Sequence, residues 1–296
     1  MAESASETMI KAADEVRAPR TDELDVFGLS HQGKVRKENQ DRFLLATIHK
    51  RVEVVTCNLN DAEALPAGEQ RLAYLAMIAD GVGGGTGGAD ASNTTIETVM
   101  QYVNDCMLVY YGARVEEAEF ADMLQAAAMR AHEAVRRRRA ENGVTGTMAT
   151  TLTLYIGMWP TYYLLQLGDS RYYVWRHGKL RQVTRDQTLA QDLVDEGVMT
   201  RAAAAKTPMA NVLSSAIGAD QTVPVVTRMH ADWNNVHLIC SDGLTRHVSD
   251  ERIAEVLSSM TSSKQACEQL LQEALDGGGT DNITIIIGRA APGAHP

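Results

Sequence analysis

Hydrophobic positions in this chain follow two different periods. Between residues 24 and 79 they come as short alternating or continuous runs, which predicts strands near 24–30, 42–48, 51–57 and 72–79. The stretch 58–71, with its Asn, Asp, Pro and Gly, reads as a surface loop. From Asp90 to about Tyr110 the spacing becomes helical, with Ile96, Val99, Met100, Val103 and Met107 on one face. A second helix is predicted from about Glu116 to Ala140, with Phe120, Met123, Leu124, Ala127, Ala131 and Val135 turned inward. Strands return in close succession at 150–158, 162–168, 171–176 and 179–184, as antiparallel hairpins. A short helix near 187–196, an irregular segment 197–221, strands near 223–229 and 236–241, helices near 250–259 and 263–275, and a strand at 282–288 complete the pattern.

Helices come in adjacent pairs and strands in runs, so alternating βαβ architecture is disfavoured. The expected fold is α+β: a four-layer α-β-β-α sandwich, two central and mostly antiparallel sheets flanked by helices. Residues 1–22 read as a polar N-terminal extension, 23–290 as a single domain and 291–296 as a tail.

Composition narrows the function classes. The 296 residues are 45% hydrophobic, enough for a real core, and only 5% aromatic, which argues against a base-stacking surface. A formal charge of -10 argues against a general nucleic-acid or membrane binder, because phosphate backbones and anionic lipids would repel it. Cys57, Cys106, Cys240 and Cys267 form no CxxC pair and read as small buried hydrophobes in a reducing compartment. The N-terminus has no apolar run, and nowhere do ~18 apolar residues follow one another, so a soluble cytoplasmic protein is expected. The run Arg136 to Arg139 reads as a solvated helix end complementing the helix dipole.

The chemistry concentrates at strand ends. Asp41 in ENQDRFLL, Asp80 in LAMIADGVGGG, Asp242 in VHLICSDGL and Asp281 in GGTDNITIIIG each stand where an apolar run meets a polar or glycine turn. Four converging carboxylates would repel one another, and two divalent cations would remove that conflict. Oxygen ligands favour Mg²⁺ or Mn²⁺ over zinc. Gly83, Gly85 and Gly88 match GxGxxG, but Asp80 just before them would repel a pyrophosphate, and the required βαβ alternation is missing. The plainer reading is a loop that lets backbone approach a metal, with the Gly81 carbonyl as a candidate ligand. Ser170 has no His with a triad partner to activate it, and the histidines His31, His49, His132, His177, His230, His237 and His247 are scattered without ligand spacing.

The segments GLSHQGKVRKENQDRF, ADGVGGGTGGADAS, GTMATTLT, LGDSRYYVWRHGKL, TRDQTLAQDLVDEG, VLSSAIG, ICSDGLTRHVSD and GGTDNIT occur in an order that resembles the metal-dependent type 2C serine/threonine protein phosphatases (the PPM family), bacterial type, over roughly residues 24–288. The resemblance implies a β-sandwich with a two-metal centre at one end. Asp41, Asp80, Asp242 and Asp281 become ligands with the Gly81 carbonyl, Asp80 bridges both ions, and Asp169 binds a weaker third. Arg36 matches the family's phosphate-binding arginine, its planar fork suited to two phosphate oxygens. Arg36, Asp80 and Asp242 are thus the expected catalytic residues. The implied reaction is in-line attack on a phosphoserine or phosphothreonine ester by a water the two Mn²⁺ or Mg²⁺ ions share. Segment 197–221 falls where the family carries a variable flap. Partners would be phosphorylated proteins and a serine/threonine kinase acting on the same targets, with no nucleic acid, no membrane and a monomeric enzyme. Two departures stand out: Val82 and Gly85 replace the Met and His of many bacterial members, and Met148-Ala149 alters the Gly-Thr-Thr segment. Val82 cannot serve as the general acid proposed for the His that follows Asp-Gly in some eukaryotic members. The alternative reading is a non-catalytic phosphoprotein-binding module on the same scaffold.

Overall fold

Strands buried on both faces need apolar residues at successive positions, and the C-terminal strand shows the consequence. In Ile283–Ala290, Ile283, Ile285 and Ile287 pack toward helices while Ile286 packs toward the opposing sheet. The computed structural model describes residues 17–53, 56, 68–84, 86–112, 117–233 and 235–291.

The first sheet has the order β1-β12-β11-β8-β9, built from β1 (Leu24–His31), β8 (Arg171–Arg176), β9 (Lys179–Gln182), β11 (Val236–Cys240) and β12 (Ile283–Ala290). The second runs β10-β7-β6-β3-β2, from β2 (Arg42–Val52), β3 (Gly68–Ala79), β6 (Leu152–Met158), β7 (Thr161–Leu167) and β10 (Val225–His230). A small ribbon pairs β4 (Gly81–Gly83) with β5 (Met148–Thr150). Every strand pair among the described residues is antiparallel.

Three buried clusters define four layers. Val99, Val103 and Met107 of α1 (Gly87–Gly112) and Phe120, Leu124 and Val135 of α2 (Glu117–Glu141) pack on Leu75, Leu154 and Leu165 of the second sheet. Ile78, Leu164, Ile239 and Ile286 fill the space between the sheets. Ile253 and Leu257 of α6 (Asp250–Ser259) and Leu270 of α7 (Ser263–Asp276) cover Leu238 and Ile285 of the first sheet. At about 1.5–3 kcal/mol per fully buried large aliphatic side chain, these layers are the main stabilising term. The predicted α-β-β-α sandwich is the observed fold, and the predicted inward faces of both long helices are the buried ones.

Several boundaries differ from the sequence-based expectation. The predicted strand 42–48 extends, as β2, through a register shift at Ile48/His49 to Val52, so it takes in only the first two residues of the predicted strand 51–57; Glu53 and Thr56 are not in a strand, and residues 54, 55 and 57 lie outside the described residues. The partner of β2, β3, begins at Gly68 rather than 72, since the exposed, polar Glu69 and Gln70 extend the backbone ladder and give no apolar signal. Of the predicted loop 58–71, residues 58–67 lie outside the described residues, as do Cys57, Gly85, residues 1–16 of the N-terminal extension and 292–296 of the tail. The predicted strand 150–158 is split at Thr151, because Met148–Thr150 leaves to pair with β4. The run 162–168 and 171–176 is not a hairpin: β7 and β8 lie in different sheets, and the chain crosses between them at Gly168, whose φ is +92°. Segment 197–221 contains two short elements, α4 (Arg201–Ala204) and a 3₁₀ turn at Pro208–Asn211. It follows α3 (Leu189–Asp195), capped by the Thr188 hydroxyl, which accepts from Gln191 N. A one-turn helix, α5 (Asp242–Thr245), was not anticipated.

Candidate active site

Strands β1, β2, β3, β11 and β12 all turn at the same end of the sandwich, and the predicted aspartates stand there. Asp41 immediately precedes β2 and is buried. Its Oδ2 accepts from Ser241 Oγ (2.8 Å) and Thr284 Oγ1 (2.7 Å). Its Oδ1 is buried with no hydrogen-bond partner. Asp80 follows β3 and is held through its backbone: its N–H donates to Thr151 Oγ1, and its carbonyl accepts from Thr151 N and Thr150 Oγ1. Thr150 and Thr151 of the Met148-Ala149-Thr150-Thr151 segment therefore fix Asp80, which position in the sequence did not indicate.

The glycine loop is a matter of close approach. A Cβ on Gly81 would lie 2.3 Å from the Gly88 carbonyl oxygen and 2.7 Å from that of Gln40. One on Gly88 would lie 2.4 Å from Gln40 Oε1. Only glycine lets the β4 loop, the start of α1 and the Asp41 loop meet. With all strands antiparallel, the dinucleotide reading of Gly83, Gly85 and Gly88 falls: the βαβ unit it needs is absent among the described residues.

Asp169 sits at the crossing between the sheets, and its neighbour Ser170 is buried, bonded through Oγ to Thr151 Oγ1 at 2.8 Å. Ser170 is therefore structural, as its lack of a triad partner indicated. Asp242 opens α5, and Asp281 precedes β12. Arg36, Asp80, Gly81, Asp169, Asp242 and Asp281 line one cleft of about 840 Å³.

The electrostatics are those of crowded carboxylates. Burial, followed by Asp41, Asp242, Asp169 and Asp281, holds Asp80 well above the usual carboxylate range. Burial, opposed by the Thr284 and Ser241 hydroxyls, leaves Asp41 at about 6. Burial, then Asp242 and Asp186, lifts Asp169 to about 7.

Two arginines answer part of this charge, and here the structure departs from expectation. Arg36, expected to face a phosphate, forms a bidentate pair with Asp281, Nε to Oδ1 and Nη2 to Oδ2, both 2.7 Å. Arg246, not singled out from the sequence, donates from Nε (2.9 Å) and Nη2 to Asp242 Oδ2. Among the described residues no three His, Cys, Asp or Glu side chains stand ready around one point as a ligand set. With Asp242 and Asp281 in ion pairs, convergence of the predicted ligands is partial. The donor chemistry nonetheless suits a hard divalent cation: Asp41 presents an enclosed oxygen without a partner, beside Asp80, whose charge four carboxylates oppose.

Asn282 was also missed. Its Oδ1 accepts from Gln40 N (2.8 Å), and its Nδ2 donates to the carbonyls of Gln32 (2.8 Å) and Glu38 (2.9 Å). One side chain thus clamps the loop carrying Arg36 and Asp41. Ser241 and Thr284 orient Asp41 in the same way. The available signal was adjacency: Ser241 and Asn282 border predicted ligands, and Arg246 is one helical turn after Asp242.

Residues 58–277 match the protein phosphatase 2C family. The serine/threonine protein phosphatase PstP of Mycobacterium tuberculosis is 32% identical over 228 residues, covering 77% of this chain and 42% of that protein. The chain thus spans less than half the length of this relative. The serine/threonine phosphatase stp of Listeria monocytogenes is 28% identical over 215 residues, 72% of this chain and 83% of that protein. The crystal structure of the PstP catalytic domain in complex with two manganese ions superposes with a TM-score of 0.69 at 28% identity, covering 90% of this chain and 98% of that one.

Proposed function

The chain belongs to the protein phosphatase 2C family, and from that premise we propose that it hydrolyses phosphoserine and phosphothreonine in proteins with the aid of two Mn²⁺ or Mg²⁺ ions. Asp41, Asp80, the Gly81 carbonyl, Asp242 and Asp281 would hold the pair, and Asp169 a weaker third ion. Bound there, the cations supply Lewis-acid activation of water and neutralise charge gathering on the phosphate. The observation that carries the reading is Asp41 Oδ1, a buried carboxylate oxygen that accepts no hydrogen bond, on a residue that presses with three further carboxylates on Asp80.

The chain's own groups have distinct tasks in this reading. Arg36 grips the substrate phosphate with the fork that now holds Asp281, a group of similar oxygen geometry. Thr150 and Thr151 keep Asp80 fixed through its backbone, so no reorganisation is needed when charge develops. Val82, exposed in the cleft, donates no proton, so leaving-group protonation falls to water or to another group of the site. Phosphorylated proteins, and the kinase that modifies them, are the partners this activity implies. Among the described residues no helix is long and apolar enough to cross a membrane.

Turnover of p-nitrophenyl phosphate and of a phosphothreonine peptide tests the proposal. Activity should vanish on exhaustive chelation and return with Mn²⁺ or Mg²⁺, and chelation should lower the melting temperature by linkage. A folded, metal-loaded protein that binds the phosphopeptide without hydrolysing either substrate would favour the non-catalytic module instead.

A further inference from the structure

Helix α2 closes on Arg136, Arg137, Arg138 and Arg139, in a chain whose formal charge is -10. Four successive side chains point around a helix, not to one face, and the structure divides them. Arg136 and Arg139, three positions apart and so on one face, line a surface groove of about 430 Å³ with Ala140, Gly143, Val144 and Thr145. Arg137 is turned to Glu141, its Nε 4.0 Å from Oε1. The sequence-based expectation gave the run a role at the helix end, but the last carbonyls are already bonded. Asn142 N donates to the Arg138 carbonyl (3.0 Å), Val144 N to that of Arg139 (3.1 Å) and Gly143 N to that of Ala140 (3.2 Å). Gly143, with φ +62°, makes the left-handed turn that closes the helix this way. Arg139 pins the turn, donating from Nε to the Val144 carbonyl at 3.4 Å. The exposed Arg136 makes no ion pair or hydrogen bond with any described residue, Glu133 one turn earlier included.

The groove adjoins the acidic cleft. Thr145 belongs to the groove and Thr147 to the cleft. Gly146 between them has no side chain, and a Cβ there would meet no atom within 4 Å, so no side chain at 146 walls one from the other. Thr147 leads into β5, where Thr150 pairs with Gly81. Five residues of chain separate Thr145 from Thr150, at most about 18 Å. An extended peptide with its phosphorylated residue beside Gly81 therefore reaches the groove with a residue about five positions away.

Resting on the phosphatase reading, we propose that this groove is a docking site for Asp or Glu side chains of the phosphoprotein substrate, about five positions from the phosphorylated residue. Charge complementarity carries the assignment. The protein is acidic overall and its cleft is rich in carboxylates, so an acidic flank is repelled there and received where Arg136 and Arg139 converge. Guanidinium forks match carboxylates, and paired arginines are a common way to read acidic motifs. An exposed site of this kind selects among substrates more than it holds them.

Three phosphothreonine peptides test this with the full chain and Mn²⁺. One carries two glutamates five and six positions before the phosphothreonine, one carries them the same distance after it, and one has glutamines in both places. KM is read from phosphate release, and Kd from fluorescence anisotropy with phosphonate analogues that resist hydrolysis. One of the glutamate peptides should bind roughly three- to tenfold more tightly than the glutamine peptide at low salt. That gap should shrink at high salt. Arg136→Glu should erase it, and Arg139→Gln should reduce it, with circular dichroism verifying the fold of each variant. Equal affinity for all three peptides, or a gap that survives Arg136→Glu, would overturn the docking site and leave the phosphatase reading intact. Failure of the wild-type protein to hydrolyse p-nitrophenyl phosphate would overturn that reading instead, and the anisotropy comparison would still decide for or against the groove.

Discussion

The guanidinium of Arg36 rests on the carboxylate of Asp281 through two parallel hydrogen bonds of 2.7 Å each. The pair joins residues 245 positions apart and couples two roles assigned separately from the sequence, one to a phosphate and one to a cation. Both partners face the cleft, so whatever draws Asp281 away releases a fork shaped for two oxygens of an anion.

Arg36→Ala is therefore expected to raise KM for a phosphopeptide by an amount matching about 1.5–3 kcal/mol, the worth of a charged hydrogen bond. Cation affinity should hold or improve, since a competitor for Asp281 is removed. Arg36→Lys should recover part of the KM effect only. Steady-state kinetics and Mn²⁺ titration of both variants check this. Unaltered KM with weakened cation binding would make Arg36 a support for Asp281 alone.

Asn282→Ala removes three hydrogen bonds to the backbone of the 32–40 loop at once. The partly buried amide and carbonyl groups left behind should cost about 1–3 kcal/mol of stability. Because the loop carries Arg36, KM should rise more than kcat falls. Denaturant unfolding alongside kinetics separates the two effects, and an unchanged KM would show that the loop keeps its place without the clamp.

The layers of this fold were legible because burial on both faces forces apolar runs such as Ile283 to Ile287, and burial on one face forces the helical spacing of Val99, Val103 and Met107. The ends of β2 and β3 were less legible, since Glu69 and Gln70 are polar and exposed and carry no apolar alternation. The sheet crossing at Asp169 was misread as a hairpin because a two- or three-residue polar turn looks the same whichever sheet the next strand joins. The aspartates of the site could be found from strand ends and ordered motifs. Their orientation could not, because Ser241, Thr284 and Asn282 act across separations of 200 to 250 positions that local spacing does not encode.

Among the carboxylates, Asp80 and Asp169 should separate. Four other carboxylates press on Asp80, and Thr150 and Thr151 lock its backbone, so Asp80→Asn should cost orders of magnitude in kcat. Asp169 stands at the cleft edge it shares with a neighbouring groove lined by Arg171 and Asp186. Asp169→Ala should be milder on a small aryl phosphate. Circular dichroism verifies the fold, and equal loss of kcat in the two variants would overturn the proposed ranking of cations.

His237 gives a pH dependence of defined sign. Its pKa in the folded protein is pushed down to about 4 by burial, from an ordinary value of 6.5. Between those values the unfolded chain binds the proton and the folded protein does not, so stability is complete above pH 6.5 and is lost as pH falls toward 4. The loss should approach about 3 kcal/mol. Asp41 and Asp169, raised by burial to about 6 and about 7, act oppositely in cation-free protein: the folded state holds their protons, and stability falls as pH rises through those values. The two contributions separate by difference, because His237→Phe leaves the carboxylates untouched. The stability gap between wild type and His237→Phe, followed by urea unfolding from pH 7.5 to 4.5, should shift in favour of the variant as the solution is acidified. A gap that stays constant across that range would mean that the imidazole titrates alike in the folded and unfolded chain.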